Sequence, residues 1–283
     1  MRIAAVSARR GTGRTTVAVN LALTVPGKVR LLDCDVENPK CGPIAHPIIH
    51  VHCPVLVRVP VVNARACSGC GDCVEACRFD ALTKLPKGVL LLSEICHACG
   101  GCSAACTMGA LTDQERDVGT LERGTAGVLE FAQGRMGSGE TMYPPVVDAV
   151  MRLATEDRVN IIDLPPSPIR RRTILAGDCD YAILVAEASP AGLDDLGLSV
   201  AAARASEIPV GVALNRVCSE NEALGRDYCR ENDLPILLEL PDDPRIREAR
   251  SRGEAVVDVL PEFRAVFEGI PAQIPGFCAV PLG

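Results

Sequence analysis

Apolar residues in this chain fall in short unbroken blocks rather than in alternation. RIAAVS (2–7), VRLLDCD (29–35), VNIIDLPPS (159–167), DYAILVAEAS (180–189), IPVGVALNR (208–216) and PILLELP (235–241) carry them on consecutive positions. That pattern marks strands buried on both faces. Between the blocks lie stretches with helical spacing, over 15–23, 145–155, 191–206 and 219–232. Strand and helix in alternation predict a parallel sheet covered by helices on both sides. The first strand enters the loop ARRGTGR (8–14), and the second ends in Asp33 and Asp35.

The rhythm breaks between about 36 and 145. Pro and Gly punctuate 39–47, and two later segments then superimpose Cys on Cys and Ala-Leu on Ala-Leu: ACSGCGDCVEACRFDAL (66–82) and ICHACGGCSAACTMGAL (95–111). A repeat this short predicts a small duplicated module with a minor core, held by metal. The expected division is an α/β domain of 1–60 plus 113–283, with 61–112 as the insert. Residues 117–140 are rich in Gly and read as a hairpin or loop.

Composition narrows the classes. With 283 residues, 48% hydrophobic and 23% charged, a real core forms and wholesale disorder is excluded. The net charge of −7 argues against a nucleic-acid groove or an anionic-membrane surface, since both need clustered Lys and Arg. Aromatics at 3%, with no Trp, argue against base-stacking platforms. No apolar run reaches the ~20 residues that span a bilayer. The opening MRIAAVSARRG reads as a strand entering a loop rather than a leader, and the tail IPAQIPGFCAVPLG has too much Pro and Gly for an anchor helix. The expectation is a cytoplasmic protein.

Fifteen cysteines without a secretion leader point to metal ligation rather than disulfides. Eight form two C-x2-C-x2-C-x3-C tracts: Cys67, Cys70, Cys73, Cys77 and Cys96, Cys99, Cys102, Cys106. Two-residue gaps fan three thiolates around one corner of a cubane cluster. The fourth cysteine, expected at the start of a following helix, ligates the other cluster. One cluster then takes Cys67, Cys70, Cys73 and Cys106, the other Cys96, Cys99, Cys102 and Cys77. Gly69, Gly71, Gly100 and Gly101 let the loops turn tightly. Paired zinc sites are the competing reading, but a zinc ribbon uses two pairs per site, not two identical quadruplets. The other seven cysteines are expected as small buried packing groups, and His97 as a solvated side chain.

The cysteine tracts resemble those of bacterial-type ferredoxins with two 4Fe–4S clusters, apart from Arg78 and Thr107 where a Pro usually follows the fourth cysteine. The loop SARRGTGRTT (7–16), Asp33 and Asp35, the Asp163 of DLPPS and the strand-end Asn215-Arg216 resemble the MinD/ParA family of deviant-Walker ATPases. Together the two features resemble MinD-superfamily ATPases with an inserted ferredoxin domain. This resemblance implies a doubly wound, mostly parallel P-loop NTPase sheet with an inserted small α+β ferredoxin-like domain. It implies ATP, Mg2+ and two 4Fe–4S clusters as ligands and cofactors.

By the same resemblance, Gly11, Thr12, Gly13 and Arg14 would cradle the phosphates, Thr15 would hold Mg2+, and Thr16 would lie on the α-phosphate side. Asp35 would orient the attacking water, Asp33 would support the metal shell, Asp163 would link metal to the Pro-Pro segment, and Asn215 would read adenine. Arg9 stands where the family has the lysine that reaches across a dimer, Arg14 where it has the phosphate-binding lysine, and Ala8 and Arg10 at glycine positions. A planar guanidinium does not replace a compact ammonium conservatively. The implied activity is ATP binding, with hydrolysis in question, coupled to electron transfer or iron–sulfur handling. The alternative is a non-hydrolysing electron-transfer or scaffold subunit with a degenerate nucleotide site. The implied partners are a second copy or a related ATPase and a redox or metallocofactor protein, without nucleic acid or membrane anchor. Glu187 and Asp194 read as solvated or capping residues.

Overall fold

A computed structural model describes residues 1–165 and 179–282. Pro166 and Ser167, the end of the DLPPS segment, lie outside the described residues. The chain divides into two compact units, one of Met1–His52, Glu122–Gly134 and Val150–Gly283, the other of Cys53–Leu121 and Arg135–Ala149.

The strands in chain order are β1 (Arg2–Val6), β2 (Val29–Asp33), β3 (Ile48–Val62), β4 (Leu82–Leu85), β5 (Gly88–Leu91), β6 (Leu111–Ala126), β7 (Leu129–Met136), β8 (Val159–Asp163), β9 (Tyr181–Glu187), β10 (Val210–Val217) and β11 (Ile236–Pro241). Nine form one sheet in the order β11-β10-β9-β1-β8-β2-β7-β6-β3. From β11 across to β7 every neighbouring pair is parallel. The six strands predicted from apolar blocks form one contiguous run of this sheet, from β11 to β2. There, Leu31, Ile161 and Ile183 are fully buried, because helices cover both faces.

Helix α1 (Arg14–Thr24) follows β1 and is buried along almost its whole length. Its Asn20 is satisfied inside the core: Nδ2 donates to the Thr16 carbonyl at 2.7 Å and Oδ1 accepts from the Val257 amide at 2.9 Å. The tail docks rather than trailing. The Lys28 amide donates to the Val280 carbonyl at 2.6 Å, and Gly27, at φ 87°, leaves no room for a Cβ beside that carbonyl.

One strand was not expected, and of the hairpin or loop expected over 117–140 the structure takes the hairpin. β3 is 15 residues long, mostly exposed, and contains Pro54 and Pro60. It lies at the end of the sheet, where a missing N–H leaves no ladder bond unmade. The 117–140 region is a hairpin of β6 and β7, closed over Gly127 at φ 60°.

The second unit contains both cysteine tracts, the antiparallel β4–β5 pair and short helices at Asp72–Glu75 and Gly101–Ala105. Its apolar clusters are small and partly made of thiols: Val59, Ala81 and Cys96 in one, Cys73, Leu82 and Cys102 in the other. The fourth cysteines were expected at the start of a following helix, but they do not open one. The third of each tract, Cys73 and Cys102, lies in a short helix, and Cys77 and Cys106 come just after it.

Candidate functional site

The loop after β1 turns on two glycines. Gly11 and Gly13 adopt φ 89° and 99°, a region that L side chains rarely enter. A Cβ on Gly13 would also lie 2.2 Å from Asn215 Nδ2. That amide donates to the Thr12 carbonyl at 2.7 Å, and Arg216 Nη2 donates to the Gly11 carbonyl at 3.2 Å. The end of β10 thus staples the loop. Glu187, expected as a solvated or capping residue, instead pairs with Arg216 at 2.7 Å.

Beneath the loop the first residue of α1 turns inward. Arg14 is 6% exposed; its Nε donates to Asp163 Oδ1 at 2.5 Å and its Nη2 to Asp35 Oδ2 at 3.0 Å. Thr15 Oγ1 donates to the second Asp163 oxygen at 2.6 Å. Burial works against the Arg14 charge, but Asp163 and Asp35 outweigh it and hold the guanidinium more firmly protonated than usual. The expectation that Arg14 cradles phosphates therefore meets a side chain already committed to two carboxylates.

Asp33, on β2 beside Asp163 of β8, is fully buried. It accepts from the amides of Asp35 at 3.1 Å and of Lys40 and Cys41 at 2.8 Å. Burial first, and then the Asp163 charge, raise its pKa to about 7 despite those three donors. Burial likewise raises Asp35, whose Oδ1 has no hydrogen-bond partner. Cys41 Sγ donates to Asp163 Oδ2 at 3.5 Å, and burial pushes its thiol, like that of Cys34, well up. Asp33, Cys41 and Asp163 bring ligand atoms within 4.8 Å of one another. Sequence reading placed Cys41 among packing groups; only its position after Asp33 hinted otherwise.

Thr15 Oγ1, the expected Mg2+ ligand, donates to Asp163 instead. A dication placed between Asp163 and Asp35 would meet the Arg14 guanidinium that already neutralises them. Arg9, expected to reach a partner chain, pairs with Asp195 of its own chain and donates to the Ala191 carbonyl at 3.4 Å. Arg10 lies 3.5 Å from Glu37. Thr16 and Asn215 line a second cavity that meets the loop cavity at Gly13. Lys40 and Arg250 also line the loop cavity, and sequence reading missed both.

In the second unit Cys67, Cys70, Cys73 and Cys106 line one cavity, walled by Val62, Val89 and Leu111. The amides of Ala81, Ala98 and Ala110 donate to the sulfurs of Cys77, Cys96 and Cys106 at 3.3, 3.5 and 3.3 Å. Cys77 packs against both small clusters, including the one that holds Cys96, whereas Cys99 is exposed. His97 is not simply solvated: its ring stacks on Phe79 at 3.9 Å. Of the seven scattered cysteines, Cys34, Cys41 and Cys229 are buried as expected, whereas Cys53 and Cys278 are exposed.

A glycine-hinged loop between the first strand and first helix of a parallel sheet, with carboxylates of two adjacent strands below it, defines a nucleotide-binding α/β domain of the P-loop kind. The chain belongs to the CobQ/CobB/MinD/ParA nucleotide binding domain family, whose model matches residues 3–257. An uncharacterized protein of Methanocaldococcus jannaschii is 28% identical over 199 residues, 69% of this chain and 70% of that protein. The fold is similar to the septum site-determining protein MinD of Pyrococcus horikoshii, solved with Mg-ADP, at TM-score 0.60 and 17% identity over 97% of this chain and 96% of that one. It is similar to the Pyrococcus furiosus cell division ATPase MinD at TM-score 0.56 and 18% identity over 96% and 99% of the two chains. Among the described residues no helix is long and apolar enough to cross a membrane.

Proposed function

We propose that this chain is an ATP-binding protein carrying two 4Fe–4S clusters, and that it couples nucleotide binding to electron transfer or iron–sulfur handling. The observation that carries the reading is the cavity shared by Cys67, Cys70, Cys73 and Cys106. Three thiols of one tract and the last of the other meet there, the crossed ligand set of a two-cluster ferredoxin. Cys96, Cys99, Cys102 and Cys77 would hold the second cluster. Bound clusters supply one-electron transfer. The chain's part is to hold them in a small apolar shell and to aim the amides of Ala81, Ala98 and Ala110 at sulfur, which favours the reduced form. With so few apolar residues in its core, residues 61–112 would depend on the clusters to stay folded.

On the nucleotide side, the amides of Gly11 to Thr16 and the start of α1 would meet the phosphates, and Asn215 the base. A second copy or a related ATPase would complete the working form, and a redox protein would take the electron. The reducing conditions of the cytoplasm suit such a thiol-rich chain.

Anaerobic reconstitution with iron and sulfide, followed by metal analysis, tests the cluster reading. About eight irons per chain are expected; zinc at about two per chain would refute it. ATP should then shift the electron paramagnetic resonance signal of the reduced clusters.

A second reading, a non-hydrolysing subunit, has one observation in its favour: Arg14 is bound to Asp163 and Asp35, where a hydrolytic site needs metal and water. Mg-ATP turnover that disappears in Arg14→Ala would exclude it.

A further inference from the structure

The loop cavity is ringed by cations, and most of them are already engaged. Arg9 pairs with Asp195, Arg10 with Glu37, and Arg14 with Asp35 and Asp163. In the adjoining cavity Arg216 pairs with Glu187 and Arg247 with Asp242. Lys40 and Arg250 line the loop cavity with no acidic partner among the described residues. Arg250 lines the adjoining cavity as well, and of the residues that form either wall it shares that position only with Gly13.

Its helix, Pro244–Ser251, explains the placement. Asp243 caps the start by accepting from the Arg245 amide at 2.8 Å, which fixes the helix at the end of β11. Ile246 and Ala249 are buried on its inner face, which leaves the half-buried Arg250 at the boundary between the two cavities. An unpaired guanidinium held over a loop of backbone donors is suited to a polyanion, which it can bind through two parallel hydrogen bonds.

We infer that Arg250, with Lys40 as the second cation, binds the phosphate chain of a nucleoside di- or triphosphate whose base occupies the cavity beside Asn215. The role that Arg14's position in the loop suggests is thus carried by two residues far from the loop in sequence. This inference rests on the proposed nucleotide binding and adds to it the residues that select for phosphate.

The test is calorimetric titration of the cluster-loaded protein with ATP, ADP, inorganic tripolyphosphate and adenosine. Arg250→Gln should weaken ATP and tripolyphosphate by about 10- to 100-fold, the range of a lost charge-assisted contact. It should leave adenosine binding and the unfolding midpoint unchanged, because Arg250 has no charged partner among the described residues. Arg250→Lys should recover part of the loss, and Arg252→Gln, which breaks an exposed ion pair with Glu248 outside both cavities, should change ATP affinity less than about 3-fold. ATP affinity unchanged in Arg250→Gln would overturn the inference. So would an equal loss for adenosine and ATP, which would place Arg250 on the base. A wild-type protein that binds none of the four probes would overturn the nucleotide reading itself, and this inference with it.

Discussion

Replacing Arg14 with alanine tests the buried clasp directly. Asp163 is 0% and Asp35 5% exposed, so neither can recover its charge balance from water once the guanidinium is gone. Among the described residues Asp163 would keep only the Thr15 hydroxyl and the Cys41 thiol as side-chain donors, and Asp35, whose Oδ1 already lacks a partner there, would lose its side-chain donor. Removing one partner of a buried ion pair costs about 3–5 kcal/mol. That is a large share of the 5–15 kcal/mol that holds a typical domain together. The loss at pH 8 should be near the upper end and should shrink towards pH 5, where Asp35, already raised by burial, takes up a proton once its guanidinium partner is gone. Arg14→Lys should lose about 1–2 kcal/mol, because one ammonium cannot serve two carboxylates with the geometry of a fork. Since the chain has no Trp, urea unfolding should be followed by far-ultraviolet circular dichroism. A loss below about 1 kcal/mol, or one that does not change with pH, would refute the clasp as a buried, charged pair.

Three further outcomes are expected. Gly13→Ala should cost about 1–3 kcal/mol and abolish nucleotide binding, since φ 99° strains any L residue and the new methyl displaces Asn215; an unaltered ATP titration would count against the stapled loop. Asp33, raised to about 7 from an ordinary value near 4, contributes stability that is fully present below about pH 4 and lost as pH rises to 7; the slope should approach about 1.4 kcal/mol per pH unit and vanish in Asp33→Asn, as read from unfolding curves at each pH. Cys106→Ser should halve the iron content of reconstituted protein and remove the signal of the cluster held by Cys67, Cys70 and Cys73; loss of both signals or of neither would contradict the crossed ligand set.

The central strands were legible in the sequence because each is buried on both faces, which forces consecutive apolar residues in β1, β2 and β8 to β11. β3, and the part of β6 before residue 117, were not, for the opposite reason. β3 is exposed and carries two prolines, and β6 contains Asp113, Glu115, Arg116, Asp117, Glu122 and Arg123. Their ladders are set by position in the sheet and by the tight β6–β7 turn, neither of which leaves an apolar pattern. Within the site, the glycine loop and the strand-end aspartates announced themselves by local context. The destination of the Arg14 side chain did not, because it depends on Asp163, 149 positions away. Arg250 was hidden for the same reason: its importance arises only where two cavities meet.

The position of β1 bears on how the molecule is made. Its two ladder partners are β8 and β9, residues 159–163 and 181–187, so this strand has no ladder neighbour until β8 has been made. The second unit, 53–121 with 135–149, is complete before either partner has left the ribosome. At about 5–20 residues per second, it precedes the closure of the central sheet by several seconds. If the cysteine tracts hold clusters as proposed, they can be loaded on a nascent chain whose nucleotide loop is still unformed, and the order of synthesis would then set the order in which the two sites become competent.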